Sequence, residues 1–556
     1  MLPGDSVDAR KARGAFFTPY AIAEFLATWA TAGQSSGSYL DPTCGDGVFL
    51  VAAAEVLRKR GAELGSQTLY GVDLHAGSIN EARLLLESSN VPQQHLFEGD
   101  FSEEPTPSDG YSRIPMVDAI LGNPPFVRYQ DQSSGSRSRA VQNALSQGVS
   151  LSRLSSSWAS ILVHSVSFLK PEGRIAMVLP AELLSVGYAE PIRRWLRSRF
   201  RTVHLVLFNR LQFGNVNEQV VLLVAKGSGG CDAFSLHEVD DAQDLKNLHV
   251  FDSDAYVPKA AGKWTEMFIP ESARKLLPTL TADHFGTLAD YGRPELGTVT
   301  GANKFFMLSE SAREQAGFND GVEVTRTVPA GTRHLKGMAF SLEDWRQLRK
   351  DGERVWMLNP SISRGDSVAL ERFLSAGELL EVDQGYKCSI RSPWWKIPVQ
   401  SPPDFFFTYM SHFGPRLVSN KAGTTLVNSM HGIRINEGLE REALAALPYA
   451  SYNSVTLLNA ELTGRAYGGG LLKMEPREAA LLSVPSPSAL ESLSSRILPI
   501  IATLEALARE KKWSELIHLI DEIVLVSYFN LAKSDVELIS SALTKVRSRR
   551  IVKREP

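Results

Sequence analysis

Between Tyr39 and Gly227 the sequence alternates short β-rich runs with stretches of helical periodicity. Such alternation is typical of a parallel sheet whose strands are connected by crossover helices. We therefore predict a doubly wound, Rossmann-like α/β domain, in which ligands bind at the carboxyl ends of the strands. The runs that we interpret as strands are SYLD, LYGVDL, HLFEGDF, VDAILGNPP, RIAMVLP, TVHLVLF and QVVLLVA.

The alternation ends near Gly230, and from there to about residue 485 the sequence shows no period that predicts a fold. Helical spacing returns at Leu490 and continues to a basic end, KVRSRRIVKREP, which we interpret as a solvated terminus rather than a nucleic-acid contact. A chain of 556 residues suits two to four domains. We predict a catalytic domain over 1–235 and a mixed second domain over 236–556 that ends in helices.

The first predicted strand continues into LDPTCGDGVFL, a loop that opens a helix. Gly45 and Gly47 let the backbone turn tightly and approach a ligand. Leu50 stands where a dinucleotide-binding loop carries its third glycine, which disfavours a nicotinamide cofactor. Asp41 ends the first strand and Asp73 the second, so they could meet the positive end and the ribose hydroxyls of a nucleoside ligand. Each could instead be a helix cap or a turn residue.

The third predicted strand ends at Asp100, in FEGDF. Its carboxylate could accept a hydrogen bond from an adenine amino group, with Leu74 and Phe101 available to sandwich the ring. Three strand ends thus carry three acids, and together they favour a nucleoside ligand.

The fourth predicted strand continues into LGNPPF. Pro124 and Pro125 fix φ and lack backbone donors, so the loop presents its carbonyls and the Asn123 side chain. If the Asn123 side-chain oxygen and the Pro124 carbonyl hold both N–H groups of an aromatic amine, the nitrogen can attack a methylsulfonium without a metal. Phe126 would stack on the ring. We predict Asn123, Pro124, Pro125 and Phe126 as the catalytic residues, and we predict no metal site.

The ordered set GAFFTP, DPTCGDG, GVDL, GDF and NPPF closely resembles the gamma class of DNA amino-methyltransferases, the Taq-type adenine methylases of restriction-modification systems. The resemblance covers about residues 12–227. It implies that S-adenosylmethionine is the cofactor, contacted by Thr18, Asp41, Asp73 and Asp100. It also implies that the NPPF loop holds a flipped adenine, and Asn at its first position resembles the adenine enzymes more than the cytosine ones.

The same resemblance implies an aromatic residue on the other face of the flipped base, and Phe213 is the match. A core position for Phe213 is equally open. The implied substrate is double-stranded DNA, and a separately encoded restriction endonuclease is a possible partner. The Ser-rich segment 130–157, with three arginines, could be a mobile loop over the site or a surface insertion without a role.

Parts of the second half are similar to the DNA-specificity domain of that family, which predicts a target-recognition domain: LGTVTGANKFF, YKCSIRSPWWKIP, FGPRLVSNKAGTTLVNSMHGIR and LLNAELTGRAYGGGLLKMEPREAALLSVP. Basic residues within them could serve phosphates, whereas Trp394 and Trp395 suit a core. The basic candidates are Lys304, Arg391, Lys396, Arg416, Lys421 and Arg434.

Composition leaves this interpretation open without deciding it. The formal net charge of −3 excludes only a uniformly basic surface, because phosphate contact requires just a local cluster of Lys and Arg. The three cysteines form no CxxC pair, so they predict neither a zinc site nor a disulfide framework. No apolar run approaches the ~20 residues of a membrane span, and we expect a cytoplasmic protein without a membrane partner.

Two alternatives use the same residues. Protein methyltransferases that modify glutamine also carry an NPP(Y/F) loop, because an amide nitrogen poses the same chemical problem; the early GAFFTP motif and the long second half disfavour that class. The other alternative is a catalytically silent DNA-binding subunit, which the intact acids, asparagine and prolines disfavour.

Overall fold

The computed structural model describes residues 18–62, 67–91, 94–127, 134–152, 155–210, 219–248, 255–257, 262–467 and 470–551. The chain divides into two compact units, Met1–Met267 with Val552–Pro556, and Phe268–Ile551. The structural boundary lies later than residue 235, because the strand Phe234–Val239 pairs in parallel with Phe200–Phe208 and so belongs to the first unit.

The first unit is built on a nine-stranded sheet of order β3-β2-β1-β4-β5-β7-β6-β8-β9. Strands β1 to β5 pair in parallel, as predicted, whereas β7 runs antiparallel to both of its neighbours. The strands are β1 (Gly37–Asp41), β2 (Gln67–Asp73), β3 (Gln94–Glu98), β4 (Val117–Gly122), β5 (Leu169–Pro180), β6 (Phe200–Phe208), β7 (Val220–Ser228), β8 (Phe234–Val239) and β9 (Ala255–Tyr256).

Helices follow or separate the parallel strands, which confirms the predicted doubly wound α/β class. The central strands are apolar along nearly their whole length because both faces of the sheet are covered, and β7 is almost entirely buried. The helices are α1 (Tyr20–Ala30), α2 (Val48–Lys59), α3 (Ala76–Ser88), α4 (Ser134–Ser146), α5 (Ser157–Ser165), α6 (Glu182–Ser185) and α7 (Glu190–Arg199).

The register of the sheet brings the motif-bearing strand ends to one edge. Leu40 of β1 pairs with Ile120 of β4, and Asp41 pairs with Gly71 of β2. A Cβ atom on Gly122 would lie 2.6 Å from the Asp41 Oδ1 atom, so only glycine fits there without displacing that carboxylate. The loops that follow β1 and β4 are therefore immediate neighbours.

The second unit contains helices and four small sheets. The largest sheet has the order β11-β19-β16-β18-β14. Its strands and those of the smaller sheets are β10 (Phe285–Thr287), β11 (Pro294–Leu296), β12 (Met307–Leu308), β13 (Val324–Arg326), β14 (Ala339–Phe340), β15 (Trp356–Leu358), β16 (Phe405–Phe407), β17 (Met410–Ser411), β18 (Leu417–Asn420), β19 (His431–Ile433), β20 (Arg465–Tyr467), β21 (Leu471–Lys473) and β22 (Ser483–Pro485).

The second unit ends in four α-helices and a π-helical stretch, Glu522–Tyr528. The helices of this unit are α8 (Glu271–His284), α9 (Leu288–Tyr291), α10 (Asn303–Phe306), α11 (Glu310–Ala316), α12 (Leu342–Lys350), α13 (Val368–Leu379), α14 (Tyr386–Ser389), α15 (Leu447–Ala450), α16 (Ser454–Thr463), α17 (Pro476–Ala480), α18 (Pro487–Ile497), α19 (Ile501–Arg509), α20 (Trp513–Asp521) and α21 (Lys533–Arg550). No helix among the described residues is long and apolar enough to span a membrane.

The interpretation of the basic end as solvated was wrong for Arg547 and Arg550, which close helix α21. The Arg550 guanidinium is 4% exposed and forms an ion pair with Glu461 of α16, which is 2% exposed. Its Nη2 also donates to the His412 carbonyl at 2.8 Å, and Arg547 donates to the Phe413 carbonyl at 3.0 Å. Both arginines therefore hold this helix against the rest of its unit.

Candidate active site

Asp41 lies at the end of β1 with a completely buried side chain. Its Oδ1 accepts from the Thr43 backbone N–H at 3.1 Å, but its Oδ2 is buried without a hydrogen-bond partner among the described residues. Burial raises the pKa of the Asp41 carboxyl well above its ordinary value, and the negative charge of Asp73 adds to the shift. A cation placed here would supply the missing partner and favour the ionised form.

The glycine loop between β1 and α2 is held in shape from β2. Asp73 accepts from the Gly45 N–H at 3.0 Å and from the His75 N–H at 2.9 Å. Gly45 and Gly47 adopt φ values of 52° and 85°, a left-handed backbone that favours glycine. Asp73 thus does act as a turn residue, which was the alternative role. It lies at the same edge of the sheet as Asp41, so a contact with a ligand there is compatible with that role.

Thr43 is a residue of this loop that the sequence interpretation missed. Its hydroxyl oxygen is buried without a hydrogen-bond partner among the described residues, as is the Asp41 Oδ2 atom two positions earlier. The signal was present in the sequence, because Thr43 lies between the acid and the first glycine of DPTCGDG.

Asp100 follows β3 and caps the short helix Phe101–Glu103. Its Oδ1 accepts from the Ser102 N–H at 2.9 Å, and its Oδ2 accepts from the Ser136 hydroxyl at 3.0 Å. Phe101 is buried against the rings of His164 and Phe168. It therefore contributes to an apolar wall.

Leu74, the other residue expected beside the adenine ring, directly follows Asp73. Its side chain is 61% exposed. It is accordingly free to cover a ring that approaches from solvent.

The loop after β4 carries the predicted chemical site. The Asn123 Nδ2 group donates to the Thr18 hydroxyl oxygen at 3.2 Å, which fixes the orientation of the amide. The Asn123 Oδ1 atom is buried and has no hydrogen-bond partner among the described residues. Thr18, expected to contact the cofactor, thus also contacts the predicted catalytic loop.

The remaining predicted residues of the loop differ in how deeply they are buried. Pro124 is buried, Pro125 and Phe126 are half-buried, and Phe126 packs against the core of the first unit. The Pro125 carbonyl accepts a hydrogen bond from the Ser157 hydroxyl. Phe213, the predicted second stacking residue, lies outside the described residues, and its role stays a prediction.

The described part of the Ser-rich segment after this loop includes helix α4, and its predicted mobility stays a prediction. Helix α4 is tied to the residues that follow β3: Asn143 donates to the Ser102 carbonyl at 2.8 Å, and Arg139 pairs with Glu103 at 2.9 Å. Arg153 lies outside the described residues.

Two family models match the chain in succession. The model of the N-6 DNA methylases matches residues 6–228, and that of the C-terminal domain of the type II methyltransferase M.Eco57I matches residues 261–525. The first covers every strand end described above. The chain belongs to the DNA methyltransferases of restriction-modification systems.

Individual relatives cover most of this methyltransferase. The type II methyltransferase M.XamI of Xanthomonas campestris pv. amaranthicola is 25% identical over 481 residues, which are 85% of each chain. M.AccI of Acinetobacter calcoaceticus is 21% identical over 493 residues, again 85% of each chain. A cryo-electron microscopy structure of a DrdV–DNA complex is similar in fold over 90% of this chain and 57% of that one, with a TM-score of 0.52 and 12% identity.

The second unit of the methyltransferase uses half of the predicted phosphate-binding residues internally. Arg391 donates to the Thr300 carbonyl at 2.7 Å, and Arg416 to the Leu335 and Gly337 carbonyls at 3.0 and 2.9 Å. Arg434 forms an ion pair with Glu295. Because their donors are engaged, these arginines fit a structural role. The exposed members of the predicted set are Lys304, Lys396 and Lys421.

The two tryptophans of this unit lie as expected for core residues. Trp395 is 8% exposed, and Trp394 is half-buried against Phe305. The Trp394 indole N–H donates to Glu378 at 3.1 Å.

Proposed function

We propose that this chain transfers a methyl group from S-adenosylmethionine to the exocyclic N6 amine of adenine in double-stranded DNA. It acts in the cytoplasm as the modification component of a system whose restriction endonuclease is encoded separately. The proposal is carried by the buried Asn123 Oδ1 atom, which has no hydrogen-bond partner among the described residues. Asn123 directly follows Gly122, whose Cα packs against the Asp41 carboxylate.

The residues at the strand ends fit S-adenosylmethionine by the chemistry of their free atoms. The unpartnered Asp41 oxygen suits the cationic amino group of the methionine part, and the unpartnered Thr43 hydroxyl lies in the same loop. Asp73 would hold the ribose, and Asp100 with Leu74 the adenine, above the wall that includes Phe101. Gly45 and Gly47 allow the backbone to approach the ligand closely.

When bound, S-adenosylmethionine supplies an electrophilic methyl group on a positively charged sulfur. The protein acts on the amine: the Asn123 Oδ1 atom and the Pro124 carbonyl oxygen each accept one N–H, so the nitrogen lone pair is withdrawn from the ring and directed outward. Among the described residues no group donates to the Pro124 carbonyl, which leaves it open for this bond. Both acceptors are neutral, so the proton lost after transfer leaves with water.

Two further tasks belong to the protein. An adenine inside a duplex cannot reach this buried edge, so the base must leave the stack, at a cost of a few kcal/mol. The half-buried Phe126 offers one stacking surface for it, and Phe213 would offer the other.

The test is to incubate the purified protein with methyl-labelled S-adenosylmethionine and unmethylated genomic DNA, and then to analyse the nucleosides. We expect label in N6-methyladenine within one sequence context. Label in N4-methylcytosine alone would contradict the choice of base. Label that enters only co-incubated proteins would support glutamine modification, and label in neither would support a silent subunit.

A further inference from the structure

Two serines at the start of helix α5 contact the catalytic loop at four points. The Ser157 hydroxyl donates to the Pro125 carbonyl and accepts from the Val127 N–H at 3.0 Å. The Ser157 backbone N–H donates to the Val127 carbonyl at 3.0 Å, and the Ser156 hydroxyl donates to the same carbonyl at 2.9 Å. The bonded residues lie 29 to 32 positions apart in sequence, so this contact is tertiary.

These bonds sort the acceptors of the loop into two groups. The Pro125 and Val127 carbonyls are engaged by the serines, whereas the Asn123 Oδ1 atom has no partner among the described residues and the Pro124 carbonyl receives no donor from them. The acceptors that the amine needs therefore stay available because the neighbouring carbonyls are turned toward α5.

The serines also compensate for what the prolines lack. Pro124 and Pro125 fix φ but have no N–H, so the loop cannot anchor itself through backbone donors at these positions. The first N–H groups of a helix have no partner within the helix, and here the Ser157 N–H binds the loop instead. Helix α5 packs with buried Trp158 and Ala159 immediately after the serines, so its start is a rigid support.

We propose that Ser157, assisted by Ser156, is a positioning residue for methyl transfer: it holds the loop from Asn123 to Val127 with the Asn123 and Pro124 oxygens directed at the target amine. This inference rests on the proposed function. It adds to that function two residues that touch neither the cofactor nor the base.

The variant Ser157→Ala removes the hydroxyl that donates to the Pro125 carbonyl and accepts from the Val127 N–H. Both loop groups then lose their hydrogen-bond partner. We expect the single-turnover rate of methyl transfer to genomic DNA to fall about ten-fold or more. The dissociation constants for S-adenosylmethionine and for DNA should stay within about two-fold of the wild type, because the Ser157 hydroxyl is engaged by Pro125 and Val127 of the loop. Ser157→Thr keeps the hydroxyl and should recover most of the rate.

Ser155→Ala is the matched control, since the Ser155 hydroxyl faces Ser152 rather than the loop. Equal rates for Ser157→Ala and Ser155→Ala, with both proteins folded, would overturn the positioning role. If Ser157→Ala does not fold, Ser156→Ala replaces it: this variant loses one hydroxyl bond while the backbone bond to Val127 remains, and a rate equal to the wild type would contradict the proposal. Absence of DNA methylation by the wild type itself would instead overturn the proposed function.

Discussion

The polar side chains at the strand ends of the first unit differ from two arginines of the second unit in how their polar atoms are paired. At the strand ends of the first unit, the Asp41 Oδ2, Thr43 Oγ1 and Asn123 Oδ1 atoms are buried without partners among the described residues. In the second unit, the half-buried Arg416 donates to backbone carbonyls, and the buried Arg550 donates to the Glu461 carboxylate and to carbonyls. Because buried polar groups are normally hydrogen-bonded, we interpret the unpaired acceptors as positions for a ligand and the paired arginines as structural residues.

The largest effect on stability should come from breaking the buried ion pair between Arg550 and Glu461. Glu461→Gln leaves the buried Arg550 guanidinium without its counter-charge, and removing one partner of a buried ion pair costs about 3–5 kcal/mol. We expect a correspondingly lower free energy of unfolding in urea.

The control for that variant is Glu510→Gln, which breaks an exposed pair with Lys512 and should leave the free energy of unfolding almost unchanged. A solvated helix end would give the same small value for both variants. That result would contradict the structural role assigned to Arg550.

A smaller but diagnostic effect is expected for Asp41→Asn. The variant keeps an acceptor for the Thr43 N–H but loses the charge, so the affinity for S-adenosylmethionine should fall about ten-fold or more in calorimetric titration. Unchanged affinity would show that the unpaired oxygen does not face the cofactor.

The same carboxyl predicts a pH dependence with a defined sign. Burial raises the pKa of Asp41 in the folded, ligand-free protein above its value in the unfolded chain. The stability of the ligand-free protein therefore decreases as the pH rises through the interval between these two pKa values. Asp41→Asn should have the higher Tm of the two proteins at pH 7, and the cofactor affinity of the wild type should fall toward acid pH.

The smallest expected effect is on DNA binding, and it distinguishes Lys421 from Arg416, five positions earlier. Lys421 is exposed, so Lys421→Ala should weaken DNA binding a few-fold and reduce the salt slope by about one if it contacts a phosphate. Arg416 lies over the Trp513 ring and donates to two carbonyls, so Arg416→Ala should lower Tm. A reversed result, with Arg416→Ala folded normally but deficient in DNA binding, would contradict the structural assignment.

The sequence was informative where function depends on strand order and local motifs. Asp41, Asp73 and Asn123 could be placed at one edge because each directly follows a predicted strand, and parallel strands end together. Thr43 could have been predicted in the same way, because it lies in the same loop between Asp41 and Gly45.

Other side chains have hydrogen-bond partners that are far away in sequence, and no local sequence pattern predicts such contacts. Ser157 reaches a carbonyl 32 positions earlier, and Arg550 reaches a carboxylate 89 positions earlier. A basic residue looks the same in sequence whether its donors bind a phosphate or a protein carbonyl. The sequence therefore could not separate the three arginines that bind carbonyls or a carboxylate from the three exposed lysines. The fold of the second unit rests on very short strands that leave no readable period.

The most direct test of the central claim is the single-turnover rate of Asn123→Ala, measured together with its affinities for S-adenosylmethionine and DNA. Asn80→Ala, an exposed asparagine on α3, is the control. We predict a rate about 10²- to 10³-fold below the wild type, because one of two acceptors for the amine is lost, with both affinities nearly unchanged. Methyl transfer at the wild-type rate by Asn123→Ala would contradict the account.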